Sequence, residues 1–202
     1  MSESNRLIGK DLSYSYSKGV KVIEKCTIEL TTQEKLGLVA PSGYGKTTLC
    51  KLLSGYLEPF EGSVLFDGKP LKEYKGYCPI QMIWQHPEQA VNPKLKMKKI
   101  LAEANNIEPE ILDILGIENE WFERYPSELS GGELQRFCIA RAIGEQTRIL
   151  IADEITTMMD LVTQCQIWNA LLQITAKRKI GMLIVSHDME LLKQVADRIL
   201  LL

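Results

Sequence analysis

What this sequence lacks narrows it first. No uninterrupted apolar stretch approaches the ~18 residues that a membrane-crossing helix needs, and the opening MSESNRLIGKDLS carries no apolar leader core. A cytoplasmic location is the resulting expectation. Neither charge is in excess: 24 Lys and Arg against 26 Asp and Glu leave a net charge of −2, so nothing draws the chain to nucleic acid or to an anionic membrane over long range. A basic stripe and a heptad run are both missing, and no nucleic-acid partner is expected. Any work at a membrane requires a protein partner to hold the chain there. Five cysteines (Cys26, Cys50, Cys78, Cys138 and Cys165) stand without CxxC spacing or clustered histidines, which reads as reduced thiols rather than a disulfide framework or a metal site.

What is present fits one domain. With 45% hydrophobic residues in 202, the chain can bury a substantial core. Residues 5–39 alternate short apolar runs with turn residues, including Ser17-Lys18-Gly19, and residues 20–30 are rich in strand formers. An antiparallel β segment is expected there. A short apolar run at 36–39 enters a Gly/Ser turn followed by a helical pattern over 47–56. Residues 63–66 followed by Asp67-Gly68 read as a hairpin turn, and 80–84 as a further strand. From about 87 to 144 the strand-like runs stop, and Ile111, Ile114 and Leu115 recur at helical spacing. This predicts a helical subdomain inserted between catalytic-core segments 1–86 and 145–202. Strands return at 149–152, 182–185 and 199–202, separated by helices at 161–177 and 189–196. The pattern predicts an α/β fold with a mainly parallel sheet covered on both faces.

Three segments carry chemistry. Ala40-Pro41-Ser42-Gly43-Tyr44-Gly45-Lys46-Thr47-Thr48 lies between strand and helix, the setting of a P-loop. Gly43 and Gly45 let successive backbone N–H groups turn toward phosphate oxygens, and the following helix adds its N-terminus. Lys46 then reaches the β- and γ-phosphates, while the Thr47 hydroxyl completes a Mg²⁺ shell. The usual pattern starts with glycine where Ala40 stands, which requires a negative φ at that alanine. In Arg148-Ile149-Leu150-Ile151-Ala152-Asp153-Glu154 a buried strand ends in two acids, at the edge where open α/β sheets bind ligands. Asp153 is the expected Mg²⁺ ligand through water, and Glu154 the residue that polarises the attacking water. Leu129-Ser130-Gly131-Gly132-Glu133 opens a helix with a second anion-ready N-terminus. One chain with one phosphate loop has no need of it; a second chain does.

Taken in order, these motifs resemble those of ABC transporter ATP-binding subunits over nearly the full length of the chain. The resemblance implies the P-loop NTPase core of that family, with an N-terminal antiparallel β subdomain and an inserted helical one. It also implies ATP as ligand and Mg²⁺ as cofactor. Gln85 matches the family's Q-loop glutamine, which contacts Mg²⁺; His187, in Ser186-His187-Asp188, matches the switch histidine at the γ-phosphate. Asp160 matches the D-loop aspartate at a dimer interface, and Tyr16 the aromatic that stacks on adenine, with Tyr14 nearby on the same strand face. The carry-over gives Glu154, His187, Lys46 and Gln85 catalytic roles. It assigns nucleotide binding to Tyr16, to 42–48 (Ser42, Gly43, Tyr44, Gly45, Lys46, Thr47, Thr48), to Ser130, Gly131 and Gly132, and to Asp160. Thr47, Gln85 and Asp153 become the metal residues. Ile155 stands where proline is usual, and Met158-Met159 replace small residues; neither change removes a reactive group. Trp84-Gln85-His86-Pro87 and 153–168 look closest to the dipeptide, oligopeptide and nickel importers. That implies a second ATPase subunit, permease chains, an extracellular solute-binding protein, and a peripheral position on the cytoplasmic face of the membrane. The alternative is a soluble, non-transport ATPase of the same type.

Overall fold

The structure, a computed structural model, describes residues 5–17, 20–41, 43–104 and 106–202. It holds two sheets. In the first, strand β1 (Arg6–Tyr14) pairs antiparallel with β2 (Ile23–Thr31) on one edge and with β4 (Glu61–Phe66) on the other, and β4 pairs with the short β5 (Lys69–Pro70). Asp67 and Gly68 both take positive φ (52° and 72°), which matches a tight two-residue hairpin between β4 and β5. The Ser17-Lys18-Gly19 turn runs into residues outside those described.

The second sheet is parallel throughout. Its strands are β3 (Lys35–Val39), β6 (Ile80–Ile83), β7 (Ile149–Asp153), β8 (Gly181–Val185) and β9 (Arg198–Leu201), in the spatial order β6-β7-β8-β3-β9. Every residue of β7 and β8 is buried, and the period of two sends them to different cores. Ile149 and Ile151 face a core built with the antiparallel sheet and helix α1 (Lys46–Leu53). Leu150 and Ala152 face the other side, against α4 (Gly131–Ala142) and α5 (Leu161–Arg178).

Helices α2 (Met97–Leu101) and α3 (Pro109–Ile114) precede α4, and together they fill the chain between β6 and β7. No strand interrupts that stretch among the described residues. Short 3₁₀ turns at Pro87–Gln89, Asn119–Glu123 and Pro126–Glu128 complete it. Helix α6 (Met189–Val195) leads into β9.

Boundaries differ from the sequence pattern where side chains intervene. Helix α1 stops at Leu53, not at 56, because Gly55 turns to φ 78° and Ser54 Oγ donates to Cys50 O at 2.7 Å. Strand β6 stops at Ile83, and the carbonyl of Trp84 accepts instead from the Gln135 side chain, Nε2 to O 3.3 Å. All five cysteines are unpaired thiols.

Candidate functional site

The carboxyl ends of β3, β7 and β8 lie side by side, and the segments that leave them form the site. After β3 the chain turns through Gly43 (φ 84°) and Gly45 (φ 78°), left-handed values that cost an L-residue ~1–2 kcal/mol. At Gly45 there is a second constraint. A Cβ there would stand 2.9 Å from the carbonyl oxygen of Val22 and from the Val22 and Ile23 side chains, whereas a Cβ at Gly43 would meet nothing within 4 Å. The start of β2 thus presses on the turn. Ala40 is not among the positive-φ residues, so alanine fits where glycine is usual. Lys46 Nζ donates to Ala40 O at 2.8 Å and Pro41 O at 3.2 Å, which folds its ammonium back over the turn. Gly45 is the N-cap of α1 and offers no side-chain cap, leaving the helix's first-turn N–H groups free for an anion. Tyr44 is exposed. Ser42 lies outside the described residues.

Asp153, two per cent exposed, closes β7 opposite Val185 of β8. Burial pushes its carboxyl above the ordinary value, and the Glu154 charge adds to this; the Thr47 hydroxyl and the Lys46 ammonium oppose it. A buried carboxylate beside a hydroxyl and the phosphate turn is an all-oxygen donor set, which suits Mg²⁺. Glu154 takes φ 49°, rare for a residue with a side chain. Its N–H donates to Val185 O at 3.0 Å, and its carbonyl accepts from Thr157. This bend carries the Glu154 carboxylate to 3.6 Å from His187 Nδ1, within ion-pair range for a protonated imidazole. Two residues that the sequence separates by 33 positions therefore share one edge of the site.

Gln85 is half-buried just beyond β6. The β6–β7 register ends at Ile83↔Ala152, so Gln85 follows β6 at the same edge of the sheet where β7 ends in its acids. Tyr16 follows β1 in a bend, 62% exposed, with its hydroxyl 3.1 Å from Thr48 Oγ1. Tyr14 meets it edge-on, ring centroids 5.1 Å apart, so the two tyrosines support each other rather than compete for one face.

The remaining motif residues do not join this cluster. Ser130 caps α4 in a reciprocal box: Glu133 N donates to Ser130 Oγ at 3.3 Å, and Ser130 N to Glu133 Oε2 at 2.7 Å. The groove that Ser130 and Gly132 line, with Gly131 exposed beside them, is bounded by α4 and α5 and includes no residue of the phosphate turn. Asp160 caps α5, with Oδ1 accepting from Val162 N and Thr163 N at 3.0 Å. The Thr163 hydroxyl, 2.7 Å from Oδ2, holds its carboxyl below the usual range. Around it Met158, Leu161 and Val162 are 77%, 78% and 67% exposed, while Ile155 is buried. The sequence pattern does not single out Val22, whose carbonyl shapes the turn, or the full burial of Gln135, which ends the Leu129–Gln135 signature segment on α4. A glutamine beside Leu134 and three residues before Cys138, on an otherwise apolar helix face, was the available signal for the second.

A profile described as ABC transporter matches residues 23–157, two thirds of the chain. The chain belongs to the ABC transporter family. It is an ATP-binding, ATP-hydrolysing subunit of that type. Among its relatives, the dipeptide transport ATP-binding protein DppF of Lactococcus lactis subsp. cremoris is 32% identical across 98% of this chain and 72% of its own length. The oligopeptide transport ATP-binding protein OppF of Streptococcus mutans is 30% identical across 94% and 69%. The ATP-binding cassette MJ0796, solved as a dimer in a post-hydrolysis state bound to ADP and phosphate, superposes with a TM-score of 0.83 at 21% identity. That superposition covers 97% of this chain and 94% of the cassette, and it establishes the same fold.

Proposed function

We propose that this chain is one of two cassettes that power uptake of a peptide-like solute. The observation that carries the reading is the convergence of Lys46, Asp153, Glu154 and His187 on the ends of neighbouring parallel strands. ATP lies with its base on Tyr16 and its phosphates along Ser42, Gly43, Tyr44, Gly45, Lys46, Thr47 and Thr48. Lys46 leaves its two carbonyls to meet the β- and γ-phosphates. Thr47, Asp153 and Gln85 hold Mg²⁺, which when bound offsets charge on the phosphate oxygens. Glu154 orients the attacking water, and His187 contacts the γ-phosphate and, through the Glu154 edge, steadies that carboxylate. Ser130, Gly131 and Gly132 stand apart from this pocket because they serve the partner's, and Asp160 lines the surface between the two cassettes.

Residues 87–144 act as a helical subdomain that shifts on closure and pushes on permease subunits. The cleft between α4 and β6, lined by Tyr56, Trp84, Glu103 and Arg141, offers a seat for them. The second cassette, the permease and an extracellular solute-binding protein complete the machine, with this chain peripheral on the cytoplasmic face. No helix of the described residues is long and apolar enough to cross a membrane. Relatives named for dipeptide, oligopeptide and glutathione transport favour peptides over nickel or metal chelates as cargo. Replacing Glu154 by Gln should give a purified protein that binds ATP, stays dimeric on size exclusion and hydrolyses almost none; wild-type phosphate release from that variant overturns the assignment.

A further inference from the structure

Helix α4 grips the segment that carries Gln85 at three evenly spaced points. Gln135 Nε2 donates to Trp84 O at 3.3 Å, Cys138 Sγ faces Pro87 O at 3.7 Å, and Arg141 Nη2 donates to Ala90 O at 2.7 Å. The donors recur every three residues along the helix, and so do the acceptors along the segment. The match is geometric. Side chains at i, i+3 and i+6 form an oblique ridge on an α-helix. The segment winds through the 3₁₀ turn Pro87–Gln89, where carbonyls repeat every three residues.

Gln135 and Cys138 are buried, and Arg141 is further held by Glu103 at 3.0 Å. The first rung sits on the peptide that leads directly into Gln85. Gln135 is also costly for α4 to keep: its Oε1 is buried with no partner among the described residues. A leucine or methionine would avoid that cost. Stability alone does not account for an amide here.

We infer that Gln135 is a positioning residue for Gln85, the first rung of a ladder that makes the Gln85 segment and the Ser130-bearing helix move as one piece. The inference rests on the reading of Gln85 as a residue of the nucleotide site. A contact made by Gln85 in this chain's own pocket is then passed, through Trp84 O and Gln135, to the helix end that serves the neighbouring cassette. Without the rung, Gln85 would still be present, but its backbone would drift relative to α4.

The test uses the full chain and four proteins: wild type, Gln135→Met, Gln85→Ala and the double variant. Methionine keeps the length and helix preference of glutamine and removes the donor. Hydrogen–deuterium exchange should quicken on the order of three- to tenfold at residues 84–90, the size expected for losing one neutral hydrogen bond, with α5 unchanged. ATP turnover should fall by a similar factor with KM within about twofold, and the double variant should be no slower than Gln85→Ala alone. Unchanged exchange at 84–90, or turnover losses that multiply in the double variant, would show Gln135 to be packing only. Wild-type turnover in Gln85→Ala would instead remove the role of Gln85, while the exchange data still judge the tether. Should Gln135→Met not fold, Arg141→Met at the far rung must loosen 84–90 in the same way, or the ladder is refuted.

Discussion

Alanine at Gly45 and at Gly43 separates two effects that are usually inseparable in a phosphate loop. Both glycines take left-handed φ values, 78° and 84°, so either substitution costs about 1–2 kcal/mol in backbone strain. Only at Gly45 does the added methyl collide, 2.9 Å from Val22 O and from two side-chain carbons. Relieving that contact means displacing the start of β2, an overpacking cost of about 1–3 kcal/mol. The sum for Gly45→Ala is then about 2–5 kcal/mol, against about 1–2 for Gly43→Ala. In a chain of this length each kcal/mol moves the melting temperature by about 2–4 °C. Thermal unfolding followed by circular dichroism should therefore place Gly45→Ala clearly below Gly43→Ala. Titration with a fluorescent ATP analogue should show weaker binding for both. Equal melting temperatures for the two variants would mean that β2 does not buttress the turn, and the account of how the loop is held would fall.

Two further outcomes follow from buried polar groups. Trp168→Phe removes the 3.1 Å bond from Trp168 Nε1 to Thr156 Oγ1 and leaves the hydroxyl of buried Thr156 without its donor; urea unfolding should show a loss of about 1–3 kcal/mol, and adding Thr156→Val should recover part of it. Asp153 has a carboxyl raised by burial, so the folded state holds its proton more tightly than the unfolded one and this group's contribution to stability falls as pH rises from 3.8 through the raised value. Asp153→Asn should consequently melt higher than wild type at pH 7, and the gap should shrink toward pH 4; a gap that widens on acidification contradicts the sign.

Legibility in the sequence followed the kind of interaction involved. The β7 and β8 strands showed themselves as unbroken apolar runs because both faces of a parallel sheet are covered. Helix α5 was readable from its periodicity and begins where expected, at Leu161, because Asp160 caps it. The turn through Gly43 and Gly45 into a helix was legible because left-handed backbone calls for glycine locally. What depends on distant partners was hidden. Nothing in Trp84 announces that its carbonyl leaves the strand ladder for Gln135, 51 positions away. Nor does Glu154 announce the φ of 49° that turns it toward His187, since that bend is fixed by Val185 O on the neighbouring strand. Tyr14 was expected on the same strand face as Tyr16, but β1 ends at Tyr14 and the two rings meet edge to face.

The strand order also governs when the site can exist as the ribosome delivers the chain. Strand β3, which launches the phosphate turn, is flanked by β8 and β9, so its neighbours are separated from it by some 145 residues or more of intervening polypeptide. Until residues 181–201 have emerged, β3 has unpaired edges on both sides, and the turn that carries Lys46 leaves a strand with no sheet partners. Closing so long a loop is slow, and the exposed edges invite wrong pairing in the interval. The turn that follows β3 is thus made early yet is among the last parts of the site to be held on both sides, and nascent chains halted before β8 should fail to retain ATP however intact their residues 43–48.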